Sequence, residues 1–126
     1  MITQTTLFCI LSKDDFDPDP FLSYDQFDMD YHRRGDISKR SGMVFTSGGI
    51  TLSSKNEDID NFLNDLYSIR GLIAESDNGN RVLYVLLGYE DQCNWDFSLE
   101  ELRMIVEMGF VLAVSCSKMT REDLAE

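Results

Sequence analysis

The 126-residue chain has one histidine, His32, and three cysteines, Cys9, Cys93 and Cys116, with no CxxC spacing among them. A single histidine rules out every two-His metal motif. Together with three scattered cysteines it makes a weak case for zinc, which needs four closely grouped ligands. Basic residues are scarce, 11 Lys and Arg against 23 Asp and Glu, so the net charge is −12. A surface this acidic repels phosphate backbones and anionic headgroups, which argues against nucleic acid and against membrane surfaces. The longest apolar runs are far too short to span a bilayer. The start, "MITQTTLF", lacks a basic segment leading into a long apolar one and so does not read as a signal peptide. No phosphate-cradling loop is visible either, because "TSGGIT" has neither the spacing nor the lysine of a P-loop.

What is there is enough apolar residue, 43%, to build a core, in a chain of single-domain length. The charge and the cysteine usage together suggest a soluble, reduced, cytoplasmic protein. Cys9 and Cys116 lie in apolar runs and read as small core residues. The domain is expected to span residues 1–126, with its core over about 5–118 and a polar tail at 119–126.

Apolar patterning sets out the elements. "TTLFCILS", residues 5–12, reads as a buried strand. Pro18 and Pro20 break the segment that follows, after which Phe21, Leu22, Tyr24 and Phe27 fit one side of a short helix. "SGMVFTSGGITLSS" suggests a hairpin or bulge around Gly48-Gly49, explained as a turn requiring positive φ. Ser54 and Glu57 have capping-box spacing, and Ile59, Phe62, Leu63 and Leu66 then form one apolar stripe. Gly71 is placed to break or bend this helix, and "SDNGN" to end it. "RVLYVLLGY", residues 81–89, is apolar enough to be an interior strand. Ser98 and Glu101 make a second capping box, with Leu99, Leu102, Ile105 and Val106 expected to face the core and Gly109 to cap the C-terminus. "FVLAVSCS" is the last strand. The order β, short α, β-hairpin, α, β, α, β predicts an α+β fold, a mainly antiparallel sheet with helices on one face. A ferredoxin-like form with an added helix–strand unit is the preferred arrangement.

The ordered set "RRGD", "FTSGGITLSS", "DIDNFLNDLYSIRGLIAE" and "RVLYVLLGYEDQCNWDFSLEELRMIVEMGFVLAVSC" resembles the bacterial domain-of-unknown-function family 4279 over roughly residues 5–118. That family places a basic residue with Gly-Asp before a hairpin, then a long helix, a central strand, and a Gly-terminated helix leading to a final strand. Val44-Phe45 stands where its hairpin has a Trp, and Ser-Cys-Ser ends the last strand in place of an Asp-Tyr-like ending. The resemblance implies a small α+β domain without established enzymatic activity, some members of which lie beside polymorphic toxins as apparent immunity proteins.

Seven aspartates, Asp14, Asp15, Asp17, Asp19, Asp25, Asp28 and Asp30, precede His32, Arg33 and Arg34 with no Lys or Arg among them. Asp15, Asp17 and Asp19 have the first spacings of an EF-hand loop, but Pro20 stands where the turn needs Gly and Gln26 where a bidentate Glu belongs. No metal or cofactor is therefore expected. Paired carboxylates for acid–base work need environments that push their pKa values apart, and nothing here marks a buried Asp. His32 has Cys9 or Ser41 as conceivable partners but no third member of a triad. Arg34-Gly35-Asp36 imitates an integrin-binding tripeptide, by chance in a chain with no visible secretion signal. Trp95 reads either as a cap on the core edge or as a contact residue.

With no catalytic set, the reading is a protein that binds another protein. The expected function is an immunity protein that neutralises a cognate toxin domain, a basic nuclease of contact-dependent growth inhibition or a related polymorphic system. Its contacts would be the seven aspartates with Arg33, Arg34 and Trp95. Two other readings stay open: a small-ligand or regulatory module with its pocket between sheet and helices, and a hydrolase using the aspartates with a divalent metal. The oligomeric state is left undetermined by the sequence.

Overall fold

The computed structural model describes residues 2–76 and 81–120. Five strands form one sheet: β1 (Ile2–Lys13), β2 (Phe27–His32), β3 (Gly48–Ser54), β4 (Arg81–Tyr89) and β5 (Phe110–Lys118). Their spatial order is β2-β3-β1-β4-β5. The β2/β3, β3/β1 and β1/β4 pairs are antiparallel and β4/β5 is parallel. Helices α1 (Ile59–Ser68), α2 (Arg70–Ser76) and α3 (Leu99–Glu107) supply the second layer. The fold is α+β, as expected, with a mainly antiparallel sheet. The ferredoxin-like arrangement is not confirmed: β1 passes to β2 through a single 3-10 turn, Asp19–Phe21, where that form needs a crossover helix.

Strand alternation decides the two faces. Leu7, Cys9 and Leu11 of β1, Ile50 and Leu52 of β3, and Leu83, Val85 and Leu87 of β4 are buried in one cluster with Phe62, Leu63 and Leu66 of α1 and Ile73 of α2. The opposite face carries no helix among the described residues; there Phe8 stacks on its cross-strand partner Tyr84 at 4.8 Å. Ile10 beside them is partly exposed. One face is thus packed and one open, which antiparallel sheets permit.

Several local expectations need correction. Phe27 opens a strand and not a helix face: Phe27 and Met29 pack on the core while Asp28 and Asp30 between and after them are exposed, and Phe27 meets Phe62 edge-on at 6.0 Å. The N-cap of α1 is Asp58, whose carboxylate accepts from the backbone N–H groups of Asp60 and Asn61. Ser54 instead ends β3, and Glu57 accepts from the N–H of Thr5 at 2.5 Å. The helix breaks at Ile69, and Gly71 sits inside α2. Gly48 and Gly49 lie in a strand without positive φ. They are small because neighbours are close: a Cβ on Gly48 would meet the Phe16 carbonyl oxygen at 2.5 Å. The chain turns earlier, at Gly42 (φ +72°), in a small hairpin joined by the Ile37–Val44 bridge.

The second capping box stands as expected: Ser98 accepts from the N–H of Glu101, whose carboxylate accepts from the N–H of Ser98 at 2.7 Å. Gly109 closes α3 with φ +74°. Of the four α3 residues expected inside, Ile105 alone is buried; Met104, Met108 and Glu101 join it, while Leu99, Leu102 and Val106 are exposed. Cys9 is a buried core thiol, whereas Cys116 is exposed and forms a disulfide with Cys93. The apolar run around Cys116 suggested burial, but β5 is an edge strand, paired among the described residues with β4 on one side. Of the expected helix ending "SDNGN", residues 77–80 lie outside the described residues.

Candidate partner-binding surface

All seven aspartates are exposed, and topology gathers them along one margin of the molecule. β2 is an edge strand, so its outer backbone is open to solvent. Its period of two puts Asp28 and Asp30 on the open face, opposite Ser53 and Thr51 of β3. Asp25 stands in the turn just before β2. Asp14, Asp15, Asp17 and Asp19 belong to the loop after β1. That loop lies at the same end of the sheet as the last residue of β2, since His32 pairs with Gly49 and Gly49 with Ser12. The acidic band therefore runs the length of β2 and around its end.

The aspartates differ in what they do inside the chain. Asp19 forms an ion pair and hydrogen bond with Arg33. Asp17 accepts from the N–H of Asp19 at 3.0 Å, an Asx-type turn that shapes the loop. Asp15 lies 3.8 Å from the Lys13 ammonium. Asp25, Asp28 and Asp30 have no cation partner among the described residues. The strand and its preceding turn position them, and no Lys or Arg among the described residues pairs with their carboxylates.

Arg33 is tied inward. Besides Asp19, its guanidinium lies 5.6 Å from the centre of the Tyr31 ring and its N–H donates to Asp36 at 2.7 Å. The Asp19 carboxylate raises its pKa, so it stays charged throughout the accessible range. Arg34 is exposed and has no ion pair among the described residues. Trp95 is half-buried and packs against the core near Phe97, with ring centres 6.2 Å apart. It follows β4 in the loop that Cys93 ties to β5, on the other side of the sheet from β2. The structure thus brings the aspartates together with Arg33 and Arg34 and leaves Trp95 apart.

His32 stacks on Phe45 at 3.8 Å on the open face, whereas Cys9 points into the core, so the sheet stands between them. Ser41 sits in the hairpin, where its hydroxyl accepts from the N–H of Met43. Among the described residues, no three His, Cys, Asp or Glu side chains converge on a point where a metal ion could be held. Carboxylates do interact elsewhere: a hydrogen bond with Glu101, and then the Glu101 charge, push the Asp60 carboxyl above its usual value. No helix among the described residues is long and apolar enough to cross a membrane.

Sequence reasoning missed the hairpin between β2 and β3. It projects with Ile37, Met43 and Val44 exposed, Met43 by 71%, and with Lys39 and Arg40 near its tip. Between it and β2 lies an open groove of about 690 Å³ whose lining includes Asp30, Tyr31, His32, Arg40 and Phe45. The signal was present in "ISKRSGMV", two apolar ends around Ser41-Gly42. The chain matches no family model, no curated protein and no solved structure.

Proposed function

We propose that this chain is an immunity-type protein that captures a basic toxin domain on the acidic margin of β2. The observation that carries the reading is the alignment of Asp25, Asp28 and Asp30 along an open edge strand, without a cation partner among the described residues and continued by the aspartates of the β1 loop. Exposed carboxylates add little affinity one at a time. Gathered on one margin, they steer an oppositely charged partner, raising association to about 10⁸ M⁻¹s⁻¹ or more at low salt. A nuclease toxin carries Lys and Arg to hold phosphates, and an acidic inhibitor seated on that surface blocks substrate entry. The apolar hairpin next to the band supplies surface whose burial slows dissociation. The proposal includes a cytoplasmic location, to which the Cys93–Cys116 disulfide, a bond uncommon in that compartment, adds no support.

The test is a titration against the C-terminal domain encoded by the neighbouring upstream gene, at low and high salt. Tight binding whose association slows as salt rises is the expected result. Absence of binding at both salts sinks the toxin reading.

The groove beside the hairpin favours a second reading, a small-ligand module, because its volume falls in the range of ligand sites. Its place is outside the sheet–helix interface where the sequence had put such a pocket. A melting temperature that rises with a small molecule, and no longer does so in a Tyr31→Ala variant, would support it. No rise across a metabolite panel would count against it.

A further inference from the structure

The two free edges of the sheet have opposite character. β2 presents Asp28 and Asp30. β5, "FVLAVSCSK", contains no acidic residue in a chain of net charge −12. Edge strands are usually guarded by charge, proline or a bulge against pairing with another chain. β2 is guarded in this way along its length, whereas β5 carries a single charge, Lys118, at its very end. Val111 is 63% exposed and Val114 46% exposed on it, and no strand among the described residues pairs with its outer side.

The helix above β5 shows the same exposure. α3 packs on β5 and beside α1. Its inner flank is fixed by the Tyr67 hydroxyl of α1, which donates to Glu107 at 2.8 Å. By helical period, Leu99, Leu102 and Val106 fall on the upper and outer side, away from that contact. Leu99 is 86% exposed and Val106 74% exposed. Apolar side chains and a sparsely guarded strand edge therefore share one flank of the molecule.

We propose that this flank is a homodimer interface in which β5 pairs antiparallel with β5 of a second copy and the two α3 helices lie side by side above the joined sheet. A second copy suits the flank for three reasons. The edge is self-complementary: a two-fold axis at Val114, the centre of the nine-residue strand, sets Val114 against its own copy and Phe110 against Lys118. That register brings Lys118, the one charge on β5, to where α3 of the other copy ends, a site of partial negative charge. The size suits a weak, concentration-dependent dimer. Nine residues at about 3.3 Å each give a strand edge about 30 Å long, and the nine residues of α3 add a helix layer about 14 Å long above it. At about 10 Å of depth per layer this is ~440 Å² of projected area, roughly half of the ~800 Å² that each partner contributes to a standard interface. Self-association through β5 leaves both acidic β2 margins outermost, where the like-charged copies stay far apart.

The test is the solution mass of the full chain by light scattering and sedimentation over a range of concentrations. The expected mass rises with concentration to twice 14.5 kDa. Val114→Lys sets two lysines against each other on the axis, and Val106→Glu puts a carboxylate on the exposed side of α3. Each is expected to weaken the dimer at least about tenfold, about 1.4 kcal/mol, while Asp28→Lys at the other edge leaves it intact. Circular dichroism checks folding of each variant. Should Val114→Lys fail to fold, Val106→Glu and hydrogen exchange of wild-type protein decide, with Leu112–Ser117 amides gaining protection as concentration rises. A wild type that stays monomeric throughout overturns the proposal. So does a dimer indifferent to Val106→Glu and Val114→Lys, or one lost with Asp28→Lys.

Discussion

At the scale of single residues, glycine gives the clearest contrast between what a sequence suggests and what packing decides. The pair Gly48-Gly49 looks like a turn, yet both residues are in β3 and are required by close neighbours. Gly48→Ala is expected to cost about 1–3 kcal/mol, because backbone would have to move to admit the methyl group. Gly71 is the opposite case, lying within α2 with nothing within 4 Å of an added Cβ. Gly71→Ala should stabilise by about 0.5–1 kcal/mol through helix propensity and a less free unfolded chain. Urea denaturation of the two variants checks both signs. Gly109, by contrast, was legible, since a helix-ending glycine before a strand has few other uses.

Among the elements, strands with unbroken apolar runs were readable and those with mixed runs were not. β4 announces itself, and it is interior, between β1 and β5. β2 was concealed because its outward positions are aspartates, residues that propensity places in loops. Its strand character comes from pairing with β3, a tertiary effect that local sequence does not carry. Helix starts show a similar limit. Ser98 was correctly read as a cap, but Ser54 and Glu57 only mimic the spacing, and Asp58 does the work for α1. Asp58→Ala should therefore cost about 1 kcal/mol and Ser54→Ala clearly less, by thermal or chemical melts. In α3, two overlapping apolar stripes compete, and the choice between them depends on where α1 stands.

The contact between α1 and α3 also sets a pH response. The Tyr67 hydroxyl, and then Arg103, hold the Glu107 carboxyl below its usual value; Arg103 does the same for Glu100. A depressed carboxylate contributes stability that is complete above its ordinary pKa and is lost as pH falls through the lowered value. Asp60 acts in the other direction: its carboxyl is raised, so its contribution is present at low pH and is lost as pH rises through the raised value. Tyr67→Phe removes the leading cause at Glu107. Its carboxyl should then titrate nearer the ordinary value in an NMR titration, whereas an unchanged midpoint would show that Arg103 alone sets it.

For the whole molecule, charge is arranged as two unlike edges, an acidic β2 and an acid-free β5. The aspartates themselves were legible as a candidate surface from composition alone. That they line one margin was not, because Asp14–Asp19 and Asp25–Asp30 are joined only through the pairing of β2, β3 and β1. Nor was the separation of Trp95, which needs the strand order to see. The Cys93–Cys116 disulfide likewise depends on the parallel register that places Cys116 opposite Leu87, near the loop leaving β4.

The most direct test of the central claim reverses only the three aspartates that have no cation partner among the described residues. Asp25→Lys, Asp28→Lys and Asp30→Lys are combined in one variant, and Asp17 and Asp19 are kept because they shape the loop and hold Arg33. Stopped-flow association with the toxin domain proposed as its partner is then followed at low salt. The account predicts an association rate reduced about tenfold or more, with most of the salt dependence lost. An unchanged rate and an unchanged salt slope would show that the partner docks elsewhere and that the β2 margin is only a solvated face.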